Sequence, residues 1–187
     1  MDFSDLIERP VEQHTVFTGI VVNVRQDVAA MPNGKLVKRE IIEHPGGVAV
    51  LPIDGEGNVL MVRQYRYAFG RVMLEIPAGK LEPGEDADPA AAARRELREE
   101  TGCLAGVFEP MGRVIPSPGI YRENLWLYFA GDLTYVGEDP DEDELLRLER
   151  VPYARARELC LSGEIEDAKT VVAVLRAERF IKQSGNT

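Results

Sequence analysis

A chain of 187 residues with 44% apolar and 29% charged residues is globular rather than disordered, and long enough to bury a sizeable core in one ordinary domain. Nothing in it approaches ~18 consecutive apolar residues, which excludes a helical membrane span. A formal charge of −10 argues against a generic nucleic-acid binder, though it still admits an anionic ligand wherever metal ions and local arginines offset the acidic field.

The first residues, Met1-Asp2-Phe3-Ser4-Asp5, lack the basic and apolar regions of a signal peptide, so a cytoplasmic protein is expected. Thr15–Val24 is β-rich, Pro32-Asn33-Gly34 marks a turn, and Leu36–Ile42 is a second β-rich run, together a hairpin or small sheet. Two strands, Val48–Ile53 and Asn58–Gln64, flank the Asp54-Gly55-Glu56-Gly57 turn. An apolar strand end at Glu75-Ile76-Pro77 then runs into a Gly/Pro-punctuated loop ending near Glu85.

A helix follows. Asp88 is a good N-cap, Pro89 suits the first helical position, Ala90–Ala93 has high propensity and Gly102 is placed to end it in a left-handed conformation. Downstream, the sequence predicts a strand near Phe108–Ile115, a Pro116-Ser117-Pro118-Gly119 loop, and an apolar strand from Leu125 to Ala130. An acidic loop from Gly137 to Glu144 and a strand from Leu145 to Val151 come next, then helices near Tyr153–Ser162 and Asp167–Ile181 and a frayed end from Gln183. Cys103 and Cys160 have no metal-ligand spacing and read as buried free thiols. Strands mixed with helices imply a layered α/β architecture.

Within the helix, Arg95-Glu96-Leu97-Arg98-Glu99-Glu100-Thr101-Gly102 carries the chemistry. Glu96, Glu99 and Glu100 stand at i, i+3 and i+4, so their carboxylates share one face. Like charges at that spacing weaken a helix by roughly 0.2–0.5 kcal/mol per pair, and a hard divalent cation reverses the sign. The competing reading is a solvated acidic helix supported by Arg94, Arg95 and Arg98.

Taken with Gly79 and Glu85 upstream, this stretch resembles the Nudix box: Gly, five residues, Glu, seven residues, then Arg-Glu-apolar-x-Glu-Glu-x-Gly-apolar. One departure stands out: Asp86 to Arg94 makes nine residues before Arg95 instead of seven, which bears on where Glu85 falls and leaves the helical spacing untouched. The resemblance implies an α/β/α sandwich with a mixed central sheet, preceded by a small N-terminal β-hairpin or sheet. It divides the chain into residues 1–45, a β element expected to dimerise, and 46–187, the catalytic domain.

Outside the box, Val62-Arg63-Gln64-Tyr65-Arg66-Tyr67, Glu75-Ile76-Pro77-Ala78-Gly79, Ser117-Pro118-Gly119 with Glu123, and Gly163–Thr170 look like the ADP-ribose pyrophosphatase branch. That branch implies hydrolysis of ADP-ribose to AMP and ribose 5-phosphate by a homodimer using two or three Mg²⁺ ions, or Mn²⁺ in their place. The Ala78 carbonyl, Glu96 and Glu100 would hold metal, with Glu99 supporting a further ion and Arg95 orienting the glutamates. Arg66 would contact the diphosphate, Gly119 and Glu123 the terminal ribose, Glu82 the substrate, and Arg39 a partner's adenine.

The run Asp139-Pro140-Asp141-Glu142-Asp143-Glu144 reads on its own as a solvated turn. In the ADP-ribose branch a glutamate from this loop acts on the attacking water, which favours Glu142 as general base and Glu144 as an added metal ligand. The sequence does not separate these carboxylates. A hydrolase of another nucleotide sugar, such as GDP-mannose, shares the box, and a non-catalytic ADP-ribose sensor shares the fold. No nucleic-acid or membrane partner is expected.

Overall fold

A computed structural model describes residues 1–137 and 145–184. The chain runs through β1 (Arg9–Thr18), β2 (Asn23–Ala30), β3 (Leu36–Glu43), β4 (Gly47–Pro52), β5 (Asn58–Arg66), β6 (Arg71–Glu75) and β7 (Ala78–Lys80) to the first helix, α1 (Pro89–Thr101). There follow β8 (Cys103–Val114), β9 (Tyr121–Arg122), β10 (Leu125–Tyr135), β11 (Leu146–Pro152), α2 (Tyr153–Ser162), α3 (Ala168–Arg176) and α4 (Glu178–Ser184). Among the described residues no helix is long and apolar enough to cross a membrane.

Two compact units emerge: Met1–Pro45 with Ile115–Asn124, and Gly46–Val114 with Leu125–Thr187. The first is a sheet in the order β1-β2-β3-β9, antiparallel except for the short parallel pairing of β9 on β3. The expected strand Thr15–Val24 is in fact interrupted: Gly19 donates its N–H to the Val22 carbonyl at 2.9 Å, and this turn separates β1 from β2. A side chain on Gly19 would meet the Phe17 ring at 2.8 Å and the Val22 carbonyl at 3.0 Å, so the turn needs glycine.

In the second unit, β4 explains the layering. Val48 and Val50 face one side, packing with Leu81, Ala92, Ala93, Leu97, Tyr128 and Ala130 beneath α1. Ala49 and Leu51 face the other, with Met61, Leu127, Phe129, Ala156, Ala173 and Val174 beneath α2 and α3. Strand side chains alternate, so a strand buried on both faces reads as a continuous apolar run between two helical layers. The mixed sheet is β7-β4-β10-β8, with β10 parallel to β4 and antiparallel to β8; a separate three-stranded antiparallel sheet, β11-β5-β6, accompanies it. This is the α/β/α sandwich, with its strands shared between two sheets.

Three boundaries differ from expectation. β8 starts at Cys103, directly after the helix cap, rather than near Phe108. β7 is three residues within the expected loop, paired to β4 through Ala49 and Ala78, Val48 and Gly79, and Gly47 and Lys80. The last helix breaks at Ala177, whose N–H bonds the Val174 carbonyl at 3.3 Å, giving α3 and α4 instead of one span. Both cysteines are buried and free.

Candidate active site

Local chemistry sets the frame of α1. The Asp88 carboxylate accepts the Ala91 N–H at 3.2 Å, Pro89 opens the helix, and Gly102 closes it at φ 68° with its N–H on the Arg98 carbonyl at 2.8 Å. Ala93, Glu96, Leu97 and Glu100 form one buried stripe at i, i+3, i+4 and i+7. Glu96 and Glu100 are each only 7% exposed, which removes the solvated-helix reading. Burying ionised carboxylates is costly unless cations or donors meet them.

Arg95 meets several. Its guanidinium reaches Glu99 at 2.7 Å, Glu96 at 2.9 Å, and both oxygens of Glu85 at 3.2 and 3.3 Å. Burial works against the Arg95 charge, but Glu85, Glu96 and Glu99 outweigh it and hold the guanidinium above its ordinary pKa. For Glu85, burial pushes upward, and the Glu82 N–H at 2.8 Å together with Arg95 reverses this, leaving the carboxyl below its usual range. A 3₁₀ turn, Glu85–Ala87, precedes the helix, and Glu85 reaches the arginine despite the two extra residues before Arg95.

β7 lies against this helix, with the carboxylate of Glu96 resting on Gly79. Any side chain at 79 would fall inside that carboxylate. The backbone here is therefore bare, next to the buried carboxylate of Glu96, with buried Glu100 one helical turn further on. That set of hard oxygen donors fits a divalent cation. Among the described residues no three acidic, histidine or cysteine side chains form a ready metal cluster. Arg95 instead ties Glu85, Glu96 and Glu99 together.

Across the β6–β7 turn the charges are inverted. Glu75, at the end of β6, is 2% exposed and receives Arg66 in a fork, Nε at 2.8 Å and Nη2 at 2.7 Å. Lys169 bonds the same carboxylate and also reaches Asp167 at 3.0 Å. Burial alone would raise the Glu75 pKa; Arg66 and Lys169 bring it down to about 2. Arg66 is raised, chiefly by its bond to Glu75, with Asp167 and Glu100 adding through space. Glu75 and Lys169 both fall in segments that carry the family resemblance, which gives neither of them a role.

The remaining sequence-assigned residues fall as follows. Ala78 is on β7 beside Gly79. Glu82 is exposed in the loop between β7 and the 3₁₀ turn. In the first unit, Arg39 on β3 is forked onto Glu8 at 2.5 and 3.0 Å, Gly119 lies in the turn before β9, and Glu123 faces His44 at 3.3 Å. Glu142 and Glu144 lie outside the described residues.

Residues 43–174 match the NUDIX domain model. An ADP-ribose pyrophosphatase of Bacillus subtilis (strain 168) is 40% identical over 171 residues, covering 90% of this chain and 91% of that protein. A methanol dehydrogenase activator of Bacillus methanolicus is also 40% identical, over 169 residues, covering 89% and 90%. The crystal structure of an ADP compounds hydrolase matches with a TM-score of 0.82 at 23% identity, over 96% of this chain and 97% of that one, a likeness of fold. The chain belongs to the Nudix family, whose hydrolases generally use divalent metal ions.

Proposed function

We propose that this protein hydrolyses the diphosphate bond of ADP-ribose to AMP and ribose 5-phosphate, in the cytoplasm, with Mg²⁺ as its metal. The observation that carries the reading is the pair of buried carboxylates on one face of α1, Glu96 resting against the bare backbone of Gly79 and Glu100 one turn on, with Arg66 near enough to feel Glu100. Anionic side chains on one side and a part-exposed guanidinium on the other suit a metal-bound diphosphate. The 40% identity to an ADP-ribose pyrophosphatase supports the choice of substrate.

The Ala78 carbonyl, Glu96 and Glu100 would hold the metal, with Glu99 supporting a further ion. Such ions neutralise diphosphate oxygens and lower the pKa of water. Arg95 keeps the glutamates from splaying by bonding three carboxylates at once. Arg66 offers a guanidinium to the diphosphate, Glu82 faces the substrate, and the family resemblance assigns Gly119 and Glu123 to the terminal ribose and Arg39 to a partner's adenine. On the same resemblance, Glu142 takes the proton from the attacking water, worth about 10²–10⁴-fold in rate, and Glu144 adds a ligand.

Assembly as a homodimer through the N-terminal β element belongs to the same proposal. All ten residues of β1 are exposed, among them Val11, Val16 and Phe17, and β1 pairs on one side only within its sheet. An open strand edge carrying exposed apolar side chains is a surface that folded proteins cover. Sedimentation at micromolar concentration should give a dimer, and a monomer would remove this part.

The deciding experiment is hydrolysis of a nucleoside-diphosphate panel with and without Mg²⁺ in ¹⁸O-water. Mg²⁺-dependent release of AMP and ribose 5-phosphate from ADP-ribose is expected, with the label marking the attacked phosphorus. Faster cleavage of GDP-mannose would overturn the substrate; binding of ADP-ribose without turnover would make the protein a sensor.

A further inference from the structure

Glu75 carries more positive charge than one buried carboxylate needs. The Arg66 fork already satisfies both its oxygens, at 2.8 and 2.7 Å, and Lys169 is added on Oε2. The lysine is not a loose surface group. Its side chain is 11% exposed and also reaches Asp167 at 3.0 Å. Asp167 is fixed in turn as the cap of α3, accepting the Thr170 N–H at 3.0 Å and the Thr170 hydroxyl at 2.5 Å. Thr170 Oγ1 accepts the N–H of Ile76, the residue after Glu75, at 2.9 Å. The bonds thus close a ring from Glu75 through Lys169, Asp167 and Thr170 back to the backbone beside Glu75.

Arg66 hangs on this ring by one edge. Its Nε and Nη2 face Glu75, while Nη1 has no hydrogen-bond partner among the described residues and the side chain is 35% exposed. We infer that Lys169 is a positioning residue which, acting through Glu75, holds Arg66 so that one guanidinium edge stays presented to the substrate diphosphate. This rests on the proposed function, which makes Arg66 a diphosphate contact.

Two anions, Glu75 and the substrate phosphate, compete for one cation. Were Arg66 the sole counter-charge of Glu75, an arriving phosphate would have to share it with a carboxylate buried away from water, where an uncompensated charge is expensive. With Lys169 as second counter-charge, Glu75 remains compensated while Arg66 serves two anions. Lys169 is itself committed to two carboxylates and nearly buried, so a direct phosphate contact is not its role. A planar fork suits Arg66 for this division, because its edges bond independently.

The test uses the full-length protein with saturating Mg²⁺, comparing wild type, Lys169→Met, Lys169→Arg, Arg66→Ala and the double variant Arg66→Ala/Lys169→Met. For Lys169→Met the expected change is a KM for ADP-ribose raised about 10-fold with kcat within about 3-fold, the signature of lost ground-state binding. Lys169→Arg should recover most of the KM. On the Arg66→Ala background Lys169→Met should add less than about 2-fold, because a residue acting through another has nothing further to lose. A fall in kcat alone, tracking the folded fraction in thermal melts, would make Lys169 a structural clamp and overturn the inference. So would a full KM effect that persists without Arg66. Failure of the underlying reading looks different: wild type would then not hydrolyse ADP-ribose. If it hydrolysed GDP-mannose instead, the same ratios read on that diphosphate would decide the inference, and if it hydrolysed nothing both readings would fall.

Discussion

Two charged clusters flank the β6–β7 turn, and they are built in opposite senses. On the α1 side a guanidinium, Arg95, is surrounded by the carboxylates of Glu85, Glu96 and Glu99. On the β6 side a carboxylate, Glu75, is held by two cations, Arg66 and Lys169. The first has carboxylates to spare and calls for an added cation. The second has a cation edge to spare and calls for an added anion. On the proposed function, the short turn between them, Ile76 and Pro77, sets a metal side beside a phosphate side, which is what cleavage of a diphosphate requires.

The largest break in this comparison should come from Glu96→Gln. It keeps the volume and the contact with Gly79 but removes one of the negative charges of the α1 cluster, the one resting against β7. Metal stabilisation is worth several kcal/mol, so kcat should fall on the order of 10³-fold or more. Circular dichroism and the melting temperature should stay close to wild type, because Leu97 and the alanines beneath α1 are untouched. Turnover near wild type at saturating Mg²⁺ would mean that the platform is elsewhere.

Gly79→Ala should be the next largest. A methyl group there collides with the Glu96 carboxylate, and overpacking of this kind costs about 1–3 kcal/mol. The carboxylate must swing away, so activity should drop roughly 10–100-fold with a raised Mg²⁺ requirement. A Mg²⁺ titration of the initial rate reads this directly. An unchanged titration would show that Glu96 is not required where it rests against β7.

How much of this was legible in the sequence follows from range. Everything that placed Glu96, Glu99 and Glu100 on one face is local: a cap at Asp88, a proline at 89, a glycine at 102 and the 3.6-residue period between. The same holds for the strand pair around the Asp54–Gly57 turn, closed by the Asp54 carboxylate accepting the N–H groups of Glu56 and Asn58. Burial of Glu96 was not local, since it rests on β7, three residues with no pattern of their own. Arrival of Glu85 at Arg95 ten positions on, by way of a 3₁₀ turn at Glu85–Ala87, was not local to the helix either. The Glu75 cluster was least legible, because Glu75 and Lys169 lie 94 positions apart and only the packing of α3 on the sheet brings them together. The break at Ala177 is of the same kind: the apolar stripe runs through it, and no proline or glycine marks the site.

The sharpest test of the difference between the clusters is the acid behaviour of Glu75. Its carboxyl is lowered from an ordinary 4.5 to about 2 because the folded state supplies Arg66 and Lys169. A group depressed on folding contributes stability that is fully present above its unfolded pKa and is lost as pH falls through the folded one. The window is therefore pH 4.5 down to about 2, and the contribution above it is on the order of 3 kcal/mol. Melting temperatures of wild type and Glu75→Gln should differ most above pH 5 and converge toward pH 2, since protonated Glu75 and glutamine are then near equivalents. Carboxylates common to both proteins cancel in the difference. A gap that stayed constant down to pH 2 would mean that Glu75 is not held ionised by its two cations, and the β6 cluster would no longer be the inverse of the α1 cluster.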